Sequence, residues 1–156
     1  KGDLELLKKV QASLLDEHKR TPYAERGAIV AARAFYDAKN LDDAEKSLKW
    51  VVENGQSDEY VATAKLTLAG LYIELNKLAE AKTVLSGQIP AGFEGLFHDR
   101  LGDVALAGND VATARTEYGK AMDTLQKNSP WVEVVKRKQS ALPADPTPVE
   151  STPATK

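Results

Sequence analysis

Apolar residues recur at helical spacing in eight stretches of this chain, divided by short polar turns. In the first, residues 3–19, Leu4, Leu7, Val10, Leu14 and Leu15 form one stripe, with Lys8, Lys9, Asp16 and Glu17 opposite. Lys19-Arg20-Thr21-Pro22 ends it, and Thr21, with Pro22 at the first helical position, starts the next. Three helix pairs follow, over residues 22–55, 58–87 and 91–127, joined by the turns Gly55-Gln56-Ser57-Asp58 and Gly87-Gln88-Ile89-Pro90. The helix over 59–75 carries Val61, Ala64, Leu66, Leu68, Ala69, Leu71, Tyr72, Ile73 and Leu75, which leaves it almost no polar face and predicts burial on several sides. A last helix begins after Asn128-Ser129-Pro130, and Trp131, Val134, Val135 and Leu142 are expected to cover the open apolar edge of the third pair. From Pro143 the Pro-rich sequence to Lys156 has nothing to bury. The expected division is a folded domain over 1–142 and a disordered tail over 143–156.

The three pairs share a register. Ala44, Ala81 and Ala114 recur after 37 and then 33 residues, and twelve residues before each stands a small residue: Ala32, Ala69 and Gly102. Only a small side chain there lets the two helices of a pair approach closely. Four residues after each alanine comes a bulky one, Leu48, Leu85 or Tyr118; three before it comes Leu41, Leu78 or Val111, just beyond a polar turn. Leu101-Gly102, Ala114, Tyr118 and Ala121 match the tetratricopeptide repeat (TPR) signature, whose period is about 34 residues. Only the third repeat carries the Leu-Gly pair, and none has the leading Trp. The resulting expectation is an all-α, TPR-like α-solenoid of about three helix-turn-helix repeats. It has an extra N-terminal helix, which reads as a second helix without its first, and a C-terminal capping helix.

At 156 residues with 42% hydrophobic content, a single domain with a continuous core is expected. The lack of cysteine excludes disulfides and cysteine-ligated metal sites without fixing the compartment. A formal charge of -2 gives no broad attraction to phosphates, so nucleic-acid binding is not expected. His98, Asp99 and Asp103 have the donor types of a metal set, but His98 occupies the motif position of the TPR Trp, which favours packing. No Gly-Lys-Ser/Thr loop or nucleophile elbow occurs. No catalytic set, metal or cofactor is therefore expected, and Lys136-Arg137-Lys138 reads as a solvated helix end that complements the macrodipole.

Function then rests on the concave face. The register assigns it Arg26, Ile29, Arg33 and Tyr36 from repeat one, Thr63, Leu66, Gly70 and Ile73 from repeat two, and Leu96, Asp99, Asp103 and Leu106 from repeat three. Lys, Asn and Arg at the places where TPR arrays clamp a C-terminal carboxylate are missing, which disfavours an acidic-tail adaptor. Ile29, Tyr36, Leu66, Ile73, Leu96 and Leu106 suit an apolar partner segment, with Leu66 and Ile73 as anchors two turns apart; the alternative is that the terminal helices cover part of this stripe and make it core.

Thr21-Pro22-Tyr23-Ala24, Leu66-Thr67-Leu68-Ala69-Gly70-Leu71-Tyr72, Asn76-Lys77-Leu78-Ala79-Glu80-Ala81, and His98-Asp99-Arg100-Leu101-Gly102-Asp103 with Gly108-Asn109-Asp110 make the chain resemble the YfgM family, ancillary subunits of the bacterial Sec translocon. The resemblance covers residues 5 to 142; the Pro-rich tail departs from it. It implies a non-enzymatic interaction domain on the periplasmic side of the inner membrane, held by one N-terminal span. The implied partners are the translocon, a membrane-anchored periplasmic chaperone and exported clients. The span itself is not in this sequence: no apolar run reaches the roughly 18 residues required, and the chain opens on Lys1 rather than Met, as after removal of an anchor. The competing reading is a cytoplasmic TPR scaffold with an unrelated partner; an enzyme ranks behind both.

Overall fold

A computed structural model describes residues 2–144, and the expected tail from Asp145 onward lies outside them. Among the described residues the chain forms eight α-helices and no strand. They are α1 (Gly2–Glu17), α2 (Pro22–Asp37), α3 (Leu41–Asn54), α4 (Asp58–Glu74), α5 (Leu78–Val84), α6 (Glu94–Ala107), α7 (Val111–Thr124) and α8 (Pro130–Ser140). The pairs α2/α3, α4/α5 and α6/α7 are the three expected repeats.

Each hairpin turn is made the same way. Lys39, Asn76 and Asn109, five residues before the three anchor alanines, have φ of 62°, 56° and 61°. The residue after each donates its amide back across the turn: Asn40 to the Phe35 carbonyl at 2.8 Å, Lys77 to Tyr72 at 2.8 Å, and Asp110 to Ala105 at 2.9 Å. This is the left-handed C-terminal cap, which reverses the chain while satisfying carbonyls the helix end leaves free. Side-chain caps answer the starts of α2, α4 and α7, whereas α3 and α5 begin without one. Thr21 and Ser57 side chains accept from the amides of Ala24 and Tyr60, and the Asp110 carboxylate accepts from Thr113 at 3.0 Å.

The anchors behave as their register requires. Ala44, Ala81 and Ala114, with Leu48, Leu85 and Tyr118, are buried, as are Ala32, Ala69 and Gly102. In the third repeat the reason for glycine is explicit: a Cβ on Gly102 would lie 2.4 Å from the Tyr118 ring. The two Leu-bearing repeats carry alanine at that position, and the Tyr-bearing one gives up even the methyl.

The central helix is α4, which packs against α2, α3, α5 and α6, as its lack of a polar face implies. The main core runs through Phe35, Leu48, Leu68, Leu85 and Phe97; a second, smaller one comprises Ala105, Ala114, Tyr118, Ala121, Val135 and Leu142. Glu25, 1% exposed, accepts the amides of Gln56 at 2.8 Å and Ser57 at 3.2 Å, so a buried carboxylate of repeat one caps the start of repeat two.

Three expectations need correction, and one helix is shorter than its counterparts. Val10 does not join the buried stripe of α1: it is 58% exposed, while Leu4, Leu7 and Leu15 pack on the main core. The second helix of repeat two has seven residues against 14 in α3 and α7. α8 does cover repeat three, but through Val135 and Leu142; Trp131 and Val134 are 48% and 39% exposed. Finally, Lys138 is not a solvated helix end. Its Nζ lies 2.8 Å from both Asp99 oxygens and 2.8 and 2.9 Å from the Asp103 oxygens, so its three protons are shared between the two carboxylates.

Candidate protein-binding cleft

Between α2, α4 and α6 lies a cleft of about 490 Å³. From α2 it takes Ile29, Ala32, Arg33 and Tyr36; from α4, Thr67, Gly70, Leu71 and Glu74. Ala44 and Leu48 of α3 contribute to the floor, and Arg100 of α6 closes the far side. These positions share a surface because i, i+3, i+4 and i+7 side chains lie along one helix face. The floor is aliphatic and the rim polar, as in sites that take up an apolar group and orient it by a few directional contacts.

At the rim the Tyr36 hydroxyl donates to Glu74 Oε2 at 2.6 Å, tying α2 to α4, and the same bond pushes the Tyr36 pKa up. The Arg33 Nε donates to both Asp37 oxygens at 3.0 Å, which raises the guanidinium further. Arg100 is less well served. Its Nη1 reaches Asp103 Oδ2 at 3.3 Å, and its Nε is buried with no hydrogen-bond partner. The guanidinium lies against α4 at Gly70, where an added Cβ would touch Nη1 at 3.4 Å, an ordinary contact.

Of the expected groove residues, the structure brings Ile29, Arg33 and Tyr36 into this cleft, together with Gly70. Arg26 is exposed outside its lining, and Leu106, 39% exposed, is outside it too. Leu66 and Ile73 are half-buried and pack on the main core instead of lining the cleft. Leu96 is half-buried, again outside the lining.

Asp99 and Asp103 are not open groove carboxylates. Asp99 is 5% exposed, and both are engaged by Lys138 of α8. The Tyr118 hydroxyl donates to Asp103 Oδ1 at 2.9 Å, and Lys138 Nζ sits 5.8 Å from the Tyr118 ring centroid. Burial pushes Asp99 upward against the opposing pull of Lys138, and burial together with Asp103 raises the Tyr118 pKa strongly. His98 turns elsewhere, its Nδ1 lying 2.7 Å from Glu117 Oε2, so the imidazole and the two aspartates do not converge. Burial works to raise Glu117, but the bonds from Lys120 and His98 outweigh it and hold the carboxyl below its usual range.

Sequence reasoning missed Thr67, Leu71, Glu74 and Arg100. On α4 and α6 the observed face is turned by one residue from the expected stripe. Because apolar residues surround nearly the whole circumference of α4, periodicity marks no clear direction on it. For Arg100 no signal existed, because His98, Asp99 and Asp103 share its helix and Asp103, three residues on, reads as a sufficient partner.

Comparison with known proteins agrees with this architecture. A family described as the tetratricopeptide repeat-like domain matches residues 1–144. A protein of Neisseria gonorrhoeae, the ancillary SecYEG translocon subunit, is 29% identical over 119 residues, covering 76% of this chain and 57% of the relative. The chain thus spans little more than half of that relative's length. The kinship inferred from the sequence motifs holds in this match.

Proposed function

Because the chain belongs to the tetratricopeptide repeat-like domain family, we propose that it is a protein-interaction module that receives a segment of a partner protein in the cleft between α2, α4 and α6. The supporting observation is the cleft itself, an aliphatic floor of Ile29, Leu48 and Leu71 beneath a polar rim that three helices hold in place. By likeness to the ancillary translocon subunit, the module serves proteins leaving the Sec channel, with the translocon, a membrane-anchored periplasmic chaperone and exported clients as partners. Its place is then the periplasmic face of the inner membrane. No helix among the described residues is long and apolar enough to cross a membrane, so that placement requires a span supplied from outside them. We assign the cleft no catalytic step: Tyr36, Glu74 and Arg33 are each committed to a neighbouring side chain.

Site-directed photo-crosslinking tests this reading in cells that carry the whole protein. A photoreactive residue at Thr67, exposed in the cleft, should capture translocon subunits or their associated chaperone; the same group at Lys120, exposed on α7 outside the cleft, should not. Equal capture at both positions, or capture at Lys120 alone, removes the cleft as the partner site.

A further inference from the structure

The polar side chains at the cleft each have a hydrogen-bond partner, but one buried nitrogen, Arg100 Nε, has none. Arg33 is doubly bonded to Asp37, and Glu74 already accepts from Tyr36. Asp103 is more than satisfied, since Tyr118 and Lys138 donate to it independently of Arg100. Arg100 is the group left wanting: it makes a single 3.3 Å bond to Asp103 and has a buried Nε with nothing to donate to. A buried donor without an acceptor is destabilising, and an ionised one more so.

We infer that Arg100 is the anion-receiving side chain of this cleft, and that the occupant is a partner segment bearing an aspartate or glutamate side chain beside an apolar one. The inference rests on the cleft being the binding site. When such a segment enters, the guanidinium turns out from α4 and exchanges its one long bond to Asp103 for a two-pronged bond to the incoming carboxylate, through the Nε that the turn uncovers and a terminal nitrogen. Asp103 keeps Lys138 and Tyr118, so the exchange strands no charge. The incoming carboxylate supplies the acceptor that Nε lacks, and the neighbouring apolar side chain settles on Ile29 and Leu71. The fork geometry is specific to arginine; a lysine in its place presents a point charge with no second prong.

Short random peptides displayed on phage, fused through their C-termini so that no terminal carboxylate is free, supply the probe for selection on the 156-residue chain. Thr67→Arg, which fills the cleft from an exposed position, should abolish binding of the selected peptides. Those peptides should carry Asp or Glu next to an apolar residue, and changing the acid to its amide should weaken binding roughly tenfold. In Arg100→Gln the acid and amide peptides should bind alike, and Arg100→Lys should restore little of the difference. Selected peptides that need the open cleft but ignore the acid-to-amide change, or bind Arg100→Gln as well as the parent, overturn the role of Arg100 and leave the cleft standing. Peptides indifferent to Thr67→Arg, or no selectable peptide at all, remove both. Should Arg100→Gln fail to fold, the NMR resonance of the Arg100 Nε–H in the parent decides. It should move with the acidic peptide and not with its amide, and identical responses to the two overturn the inference.

Discussion

Around α4 the buried contacts are hydrocarbon, with Phe35, Leu48, Leu68, Leu85 and Phe97 interlocking with the buried alanines and the polar bonds of Tyr36, Glu25 and Glu45 at the margins. Around α8 the junction is part hydrocarbon and part charge, with Val135 and Leu142 on one side and the Lys138–Asp99–Asp103 cluster under the Tyr118 ring on the other. The two regions fail in different ways. Truncating a buried apolar side chain leaves a cavity whose cost scales with volume, whereas removing one ion from a buried cluster leaves its partners desolvated and unpaired. Replacing the whole cluster with apolar groups is therefore far less damaging than removing one member.

The strongest blow to the apolar centre is Leu68→Ala. At 2% exposure this leucine leaves a full cavity, and unfolding in urea should show a loss of about 4 kcal/mol that is insensitive to salt. A salt-dependent loss would erase the distinction between the regions. At the cap, Lys138→Met should cost about 3 kcal/mol, with most of it regained when Asp99 and Asp103 are also made leucine. If the triple variant stays as unstable as the single one, the cap is held by packing and not by charge. Gly102→Ala forces a methyl into the Tyr118 ring and should cost about 2 kcal/mol; an unchanged melt would show that the ring has room to move. Trp131→Ala, by contrast, should cost less than about 1 kcal/mol, because the ring stands half in solvent.

The smallest effect is a difference of sign in pH dependence. Burial works to raise Glu45, but bonds from Lys49, Lys77 and Tyr72 prevail and lower it. Its stabilisation is therefore present above the usual carboxylate range and is lost as pH falls through the depressed value. Asp99 stands raised, so its contribution is present in acid and is lost as pH rises through the raised value. Between acid and neutral pH the advantage of the parent over Glu45→Gln should grow, while its advantage over Asp99→Asn should shrink. Parallel curves from thermal melts of the two variants would contradict the assignment.

The parts of the fold legible in the sequence are those set by steric spacing. The alanines at 44, 81 and 114, and the trade of Ala with Leu against Gly with Tyr, announce close helix pairs whatever the surroundings. Directions are harder. α4 gives no polar reference, so the expected stripe through Leu66 and Ile73 lies one residue away from the cleft face at Thr67, Gly70, Leu71 and Glu74. On α8 the largest apolar residue, Trp131, reads as the anchor, yet Val135 shares its face with Lys138 and Leu142 and is the one drawn inward. Lys138 itself is hidden in a basic run, since nothing local shows that two aspartates some 35 to 39 residues upstream wait for one of the three cations. Local propensity also explains the short α5: the Thr83-Val84 pair disfavours continuation, and Gly87, at φ 88°, turns the chain away.

Glu25 bears on how the molecule comes apart. Linear arrays melt according to the strength of each unit and of its coupling to the next, and a carboxylate that spans a boundary raises that coupling directly. Unravelling of α2 strips the amides of Gln56 and Ser57 of their acceptor, so the first repeat cannot be lost without disturbing the second. At the next boundary the loop amide of Gly92 is answered by the local carboxylate of Glu94 in a solvent-exposed bond, which water replaces at little cost. Amide exchange in the native state should then show α2 through α4 opening as one cooperative block, with the seam of the array falling between α5 and α6.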